Sequence, residues 1–251
     1  MCGRYTLIRH DTIVGISFNL TVLANLRLIA RYNIAPTQEI LAFARRPELT
    51  PQLMRWGLVP SWATDLSIGN RMINARAETL AQKPAFRKAL EARRCIIPAD
   101  GFYEWRKNPD GSKTPFYIQL KSQAPFAFSG LYENWNTPDG QLITSCTIIT
   151  TTANAVIGPI HDRMPVILSA SAVPQWLNPQ PQSPADLSCV LIPYDAEEMT
   201  VHPVSRRVNS AAANTPDLIE PVLETDSVTS PSMTKSAGRT KPPDPHQGSL
   251  F

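Results

Sequence analysis

Along most of the chain, apolar residues come in short blocks rather than at the three-to-four-residue spacing of long helices. Such blocks run from Ile40 to Ala44, Leu53 to Val59, Cys95 to Ala99, Phe116 to Leu120, Phe126 to Leu131, Ser145 to Thr150, Pro165 to Leu168 and Cys189 to Ile192. Clusters of Pro, Gly, Asn and Asp separate them, so the pattern predicts strands joined by turns. Helical spacing is scarce. Pro84 can open a helix whose Phe86, Ala89 and Leu90 share one face, and Ser171 to Leu177 reads as a short helix entered from Ser169 or Ser171. Strands in series with a few short helices predict an α+β fold with mainly antiparallel sheet.

Beyond Glu224 the pattern changes. Ser, Thr, Pro, Lys and Asp dominate as far as Gly248, with Pro231, Pro242, Pro243 and Pro245 among them. Burial there cannot repay the entropy of ordering. Residues 1–223 are therefore read as one folded body and 224–251 as a flexible tail.

Composition narrows the class. Of the 251 residues 43% are hydrophobic and 18% charged, a balance typical of globular proteins. No apolar run reaches the roughly 18 residues of a membrane span, and Arg4 and Arg9 are followed by no apolar signal region. A cytoplasmic, nucleoid-associated monomer is expected. Cys2, Cys95, Cys146 and Cys189 are scattered without a Cys-x-x-Cys pair, which argues against structural metal or a redox dithiol. No metal or cofactor is expected. The net charge of +3 leaves nucleic-acid binding undecided, because a basic face can hide in a balanced total.

The most informative position is Cys2, directly after Met1. Removing Met1 would leave an α-amine and a thiol on adjacent carbons. An aldehyde meeting this pair can form an imine with the amine and then be captured by sulfur, closing a five-membered thiazolidine. Both groups titrate close to working pH.

Four further islands concentrate reactive groups and read as loops or strand ends: Arg31 to Gln38, Ile73 to Thr79, Ala99 to Trp105 and Ile160 to Leu168. Glu104 lies between Tyr103 and Trp105, where apolar neighbours would raise its pKa and fit it for proton transfer. The plainer alternative is a rim glutamate beside a surface tryptophan. His161 follows the Gly158-Pro159 break on an irregular connection before a buried strand, as a proton donor and acceptor or as a loop-tying histidine. Asn74 and Arg76 alternate with Ala75 and Ala77, which places amide and guanidinium on one side of an extended segment. An amide there can orient an amine, and a guanidinium suits a phosphate.

In order along the chain stand Met-Cys-Gly-Arg, Tyr-Asn-Ile-Ala-Pro, Trp-Gly-Leu-Val-Pro-Ser-Trp, Ile-Asn-Ala-Arg, Ala-Asp-Gly-Phe-Tyr-Glu-Trp, His-Asp-Arg-Met-Pro and His-Pro-Val-Ser. From Cys2 to about Val208 the body thus resembles the SRAP family, proteins associated with the SOS response that bind abasic sites in DNA. The resemblance implies a compact, largely β fold with a positively charged groove. There the mature N-terminal cysteine links to the ring-opened aldehyde of an abasic site in single-stranded DNA. It also implies a catalytic set at Cys2, Asn74, Glu104 and His161, and DNA contacts at Arg4, Arg76 and Trp62. Ala63 stands where family members can carry a second tryptophan. The family's older naming suggests a second reading, a thiol peptidase with Cys2 as nucleophile and His161 as base. Non-covalent recognition of DNA ends or gaps is a third.

At the end of the tail, Gln247, Leu250 and Phe251 resemble the short peptides with which bacterial DNA-repair proteins bind the replicative sliding clamp, in which a Leu-Phe pair fills an apolar cleft.

Overall fold

The structure, a computed structural model, describes residues 2–9, 28–45, 48–180 and 182–223. Gln247, Leu250 and Phe251 lie outside them, so the proposed clamp peptide has no structural account here.

Two sheets form the body. The smaller contains β1 (Arg4–Leu7), β2 (Arg31–Ile34), β7 (Gly101–Lys107), β8 (Lys113–Leu120) and β13 (Met199–Pro203) in the order β13-β8-β7-β1-β2. All its pairings are antiparallel. The larger contains β3 (Glu39–Arg45), β4 (Leu49–Trp56), β5 (Asn74–Arg76), β6 (Arg94–Ala99), β9 (Phe126–Asn136), β10 (Leu142–Thr152), β11 (Arg163–Pro165) and β12 (Ile167–Leu168). Along the path β10-β4-β3-β6-β9 each strand bonds to the next, and β9 bonds back to β10, so these five close into a small barrel. Closure removes edges that would otherwise be open to other chains. The expected α+β fold with mainly antiparallel sheet is what the chain adopts; the parallel exceptions are β10 with β4 and with β5.

Helices are short: α1 (Pro84–Ala92), α2 (Ala172–Trp176) and α3 (Pro184–Ser188). Pro84 occupies the first turn of α1, and Phe86, Ala89 and Leu90 are its buried face, as their spacing predicts. One expected strand is absent: Cys189 to Ile192 forms turns and bends directly after α3. The apolar run there is real, but Ser183 caps α3 through Asp186, and the chain leaves that helix without reaching a strand partner.

Aromatic rings join the two sheets. Tyr5 of β1 meets Trp56 edge-on at 5.4 Å and Phe128 at 5.8 Å, and Phe102 of β7 meets Phe128 at 6.0 Å. The pleat then decides what faces the barrel. Side chains alternate along a strand, so Phe102 points into the main core while Tyr103 joins Tyr117, Val204, Val208 and Leu218 in a second cluster on the opposite face. Glu104, two residues after Phe102, is carried to the barrel side with it.

Candidate active site

β10 organises the site because its C-terminal end is flanked on both edges. Thr150 lies opposite Arg76 of β5 on one edge and opposite Pro165 of β11 on the other. The island holding Asn74 and Arg76 and the island holding His161 are therefore brought to one end of the barrel from opposite edges of a single strand. Trp56 helps fix the first, since its indole Nε1 donates to the Ile73 carbonyl at 2.9 Å.

Glu104 lies close enough to Cys2 and to His161 for charge on one to act on the other. Burial raises the Cys2 thiol far above its usual range, and the nearby Glu104 carboxylate adds to the effect. Burial likewise raises Glu104, while the amino terminus and His161 pull it down. Glu104 is only 2% exposed, and Cys2 is fully buried with its thiol 4.0 Å from the Arg4 carbonyl. Thiol and carboxyl are thus both biased toward their protonated, neutral forms, in which each holds a proton to give to an incoming group but neither can take one from the other.

His161 has two mutually exclusive partners at Nδ1. The Arg163 amide lies 3.0 Å away and can donate to Nδ1 only when that nitrogen carries no proton, whereas the Asp162 carboxylate at 2.8 Å can accept only when Nδ1 carries one. A neutral ring bonded to the amide carries its proton on Nε2. Asp162 is largely solvent-exposed, so the backbone bond is the partner that a neutral His161 keeps.

Asn74 is half-buried. Its Nδ2 makes a long 3.4 Å bond to the Ile148 carbonyl, and its buried Oδ1 accepts no hydrogen bond among the described residues. A buried amide oxygen without a donor is costly, and such an atom suits an incoming N–H. Its amide makes no hydrogen bond to Cys2, Glu104 or His161. With Met1 still attached, the Cys2 nitrogen is an amide rather than an amine.

The expected DNA contacts fall into two kinds. Arg76 is exposed, and its guanidinium donates to no acceptor among the described residues. Trp62, 61% exposed, lines a shallow cavity of about 230 Å³ with Arg71, Asp65 and Ser67. Its loop is tied down where Trp135 Nε1 donates to the Ala63 carbonyl at 2.7 Å. Arg4 differs: Nη1 donates to Asn33 Oδ1 at 2.9 Å and to the Val208 carbonyl at 2.6 Å, and Nη2 to the Asn209 carbonyl at 3.1 Å. The fork expected to meet a phosphate is bound to protein acceptors.

Two expectations from local sequence need correction. Glu104 is neither at a strand end nor at a rim; it sits mid-strand in β7 and is buried. The residues Arg31–Ile34 likewise form a strand, β2, before the turn at Pro36 and Thr37. Three residues with a part in the site had been given none: Asn33, Glu78 and Arg163. All lie within the islands already singled out, but nothing in the sequence says what each side chain reaches. A cavity of about 600 Å³ lined by residues such as Ala172, Val190 and Tyr194 includes none of the expected site residues. Among the described residues no group of three or more His, Cys, Asp or Glu is placed to hold a metal ion. No helix among them is long and apolar enough to cross a membrane.

Comparison with known proteins agrees in fold and sequence. A solved structure from Bacteroides thetaiotaomicron superposes with a TM-score of 0.73 at 28% identity, covering 83% of this chain and 93% of that one. The Bacillus subtilis protein named abasic site processing protein YoqW is 49% identical over 222 residues, 88% of this chain and 99% of that protein. A Xenopus tropicalis protein named abasic site processing protein HMCES is 33% identical over 195 residues, 68% of this chain and 57% of its own length. Residues 1–211 match the family described as SOS response associated peptidase (SRAP), and the chain belongs to that family.

Proposed function

We propose that this protein captures abasic sites in single-stranded DNA by forming a thiazolidine with the mature N-terminal Cys2. The observation that carries the reading is that the buried Glu104 lies near both the buried Cys2 and His161, so that one carboxyl links the nucleophile to the histidine. The names of the relatives, which describe abasic-site processing, support it.

With Met1 removed, the Cys2 amine attacks C1′ of the ring-opened sugar, and loss of one water gives an imine. The thiol then adds across the C=N bond: sulfur bonds to carbon, its proton passes to nitrogen, and the five-membered ring closes. One water is released in total. Asn74 Oδ1 accepts from the amine and aims its lone pair. Glu104, held toward neutrality by burial, gives and takes the protons of imine formation and ring closure. His161 supplies a proton to the sugar-ring oxygen as the deoxyribose opens. Arg76 meets a flanking phosphate, and Trp62 stacks on a base, a contact worth about 1–3 kcal/mol. Single-stranded DNA reaches such a pocket without the cost of opening a duplex.

The same proton transfers run backwards would release the crosslink, and the imine stage admits slow β-elimination as a lyase side reaction. Self-removal of Met1 is a further step that the chain itself could perform. A general peptidase reading fits the site less well. A peptidase cysteine works as a thiolate beside an imidazolium, whereas here burial and a carboxylate push the thiol toward its protonated form. For the C-terminal residues, the clamp-binding reading rests on sequence alone; deleting Leu250 and Phe251 should abolish retention on immobilised clamp and spare crosslinking in solution.

The test of the main reading is a denaturing gel of protein incubated with a single-stranded oligonucleotide bearing one abasic site, beside Cys2→Ala and an intact oligonucleotide. A shifted band that survives heat and detergent only with Cys2 and the lesion is expected. Its absence, with mass spectrometry confirming loss of Met1, would overturn the reading.

A further inference from the structure

Between Tyr5 and Leu7 the pairing of β1 with β2 slips: Tyr5 faces Ile34 while Leu7 faces Arg31, so β2 carries one extra residue. Bulges of this kind re-aim side chains, and the slip includes Asn33, only 3% exposed. Its Nδ2 donates to the carbonyls of Val208 at 3.2 Å, Ser210 at 2.9 Å and Ala213 at 3.0 Å, and its Oδ1 accepts from Arg4. Two hydrogens serve three carbonyls, so at least one is shared. The segment they hold is fastened again at Asn209, whose Oδ1 accepts from Trp105 Nε1 at 2.8 Å, and at Asn214, whose Oδ1 accepts from the Tyr32 amide at 2.7 Å.

Arg4 is the link from this hub to the chemistry. Its guanidinium spans Asn33, Val208 and Asn209, its backbone is paired opposite Tyr103, next to Glu104, and its carbonyl receives the Cys2 thiol. A guanidinium fork satisfied by a buried amide and two main-chain carbonyls has little freedom to track a phosphate. Its rigidity is transmitted two residues along the chain to Cys2.

We propose that Asn33 is a positioning residue for the Cys2 chemistry, acting through Arg4, and that Arg4 serves to aim the nucleophile rather than to clamp DNA. This rests on the abasic-site reading above. A nucleophile misplaced by about 1 Å can lose on the order of a hundredfold in rate without any change in binding.

The experiment measures two quantities for wild type, Asn33→Ala and Arg4→Lys, each checked for a cooperative thermal transition. One is the single-turnover crosslinking rate at saturating abasic oligonucleotide. The other is affinity for an intact single-stranded oligonucleotide across a salt series. Arg4→Lys keeps the charge but loses the fork. Both variants are expected to lose about tenfold or more in rate, with affinity within about twofold of wild type and the salt slope unchanged. Wild-type crosslinking rates in folded variants would overturn the proposal, as would weakened affinity with a shallower salt slope and an intact saturated rate. Should Asn33→Ala fail to fold, Arg4→Lys decides by the same criteria. A wild-type protein that forms no crosslink at all sinks the abasic-site reading instead, which keeps the two failures apart.

Discussion

Arg163 grips Glu78 through both guanidinium nitrogens, Nη1 to Oε1 at 2.8 Å and Nη2 to Oε2 at 2.9 Å. The same Nη2 donates to the Thr150 carbonyl at 2.7 Å. The pair therefore straps β11 to the turn after β5 across the end of β10, holding the His161 segment against the Asn74 segment. The hydrogen bonds from Arg163 lower the Glu78 pKa. A lowered carboxylate contributes stability that is present above its unfolded pKa and is lost as pH falls through its folded one. Glu78→Gln should therefore cost stability at pH 7, and the cost should shrink as pH falls through the lowered Glu78 pKa. Because Glu78 is about half exposed, the loss should stay within about 1 kcal/mol. Urea titrations of both proteins at pH 3 and 7 check this.

Glu104 carries the opposite sign. Burial raises its pKa, so the folded state favours the protonated carboxyl, and stability is lost as pH rises through the folded pKa. Glu104→Gln should raise Tm at pH 7, by roughly 2–4 °C for each kcal/mol released. The gain should vanish below about pH 3, where a glutamate in the unfolded chain is protonated as well. The variant should also lose crosslinking. An unchanged or lower Tm at neutral pH would show that the carboxylate is stabilised, not strained, where it sits.

Gly57 allows the Trp62 loop to leave the barrel. Its φ is +124°, and a Cβ placed there would stand 2.5 Å from the Gly69 carbonyl oxygen. Alanine suffers both from the backbone angle and from the backbone-to-backbone clash, so Gly57→Ala should cost about 3 kcal/mol. Denaturant midpoints with an unchanged m-value would check it. The folded variant should also bind single-stranded DNA more weakly, because the clash pushes on the segment that lines the cavity beside Trp62.

Trp62 and Arg76 should separate in a salt series. Trp62→Ala removes a stacking surface, weakening DNA binding by about 1–3 kcal/mol with little change in salt dependence. Arg76→Gln removes one phosphate contact, so the slope of log affinity against log salt should shrink by about 0.7. Both side chains are exposed, and neither change should move Tm appreciably. Equal slopes for Arg76→Gln and wild type would remove Arg76 from the DNA contacts.

The strands and α1 were legible in sequence because short-range rules govern them. Apolar blocks between turn residues become strands, and Pro84 with Phe86, Ala89 and Leu90 defines a helix face. Where a block lacked a partner strand, at Cys189 to Ile192, the local pattern misled. Chemistry was legible where it depends on covalent structure, as with Cys2 next to Met1, whose reactive pair no folding is needed to create. The burial of Glu104 was decided in three dimensions: the pleat of β7 put it on the face with Phe102, and only the packing of the two sheets made that face the interior. Arg4 shows the same limit from the other side. Sequence identifies a cation two residues from the nucleophile, but whether it faces phosphate or protein depended on a one-residue slip between β1 and β2. That slip brings Asn33 to carbonyls roughly 175 to 180 residues away along the chain, a separation at which local residue preferences carry no information.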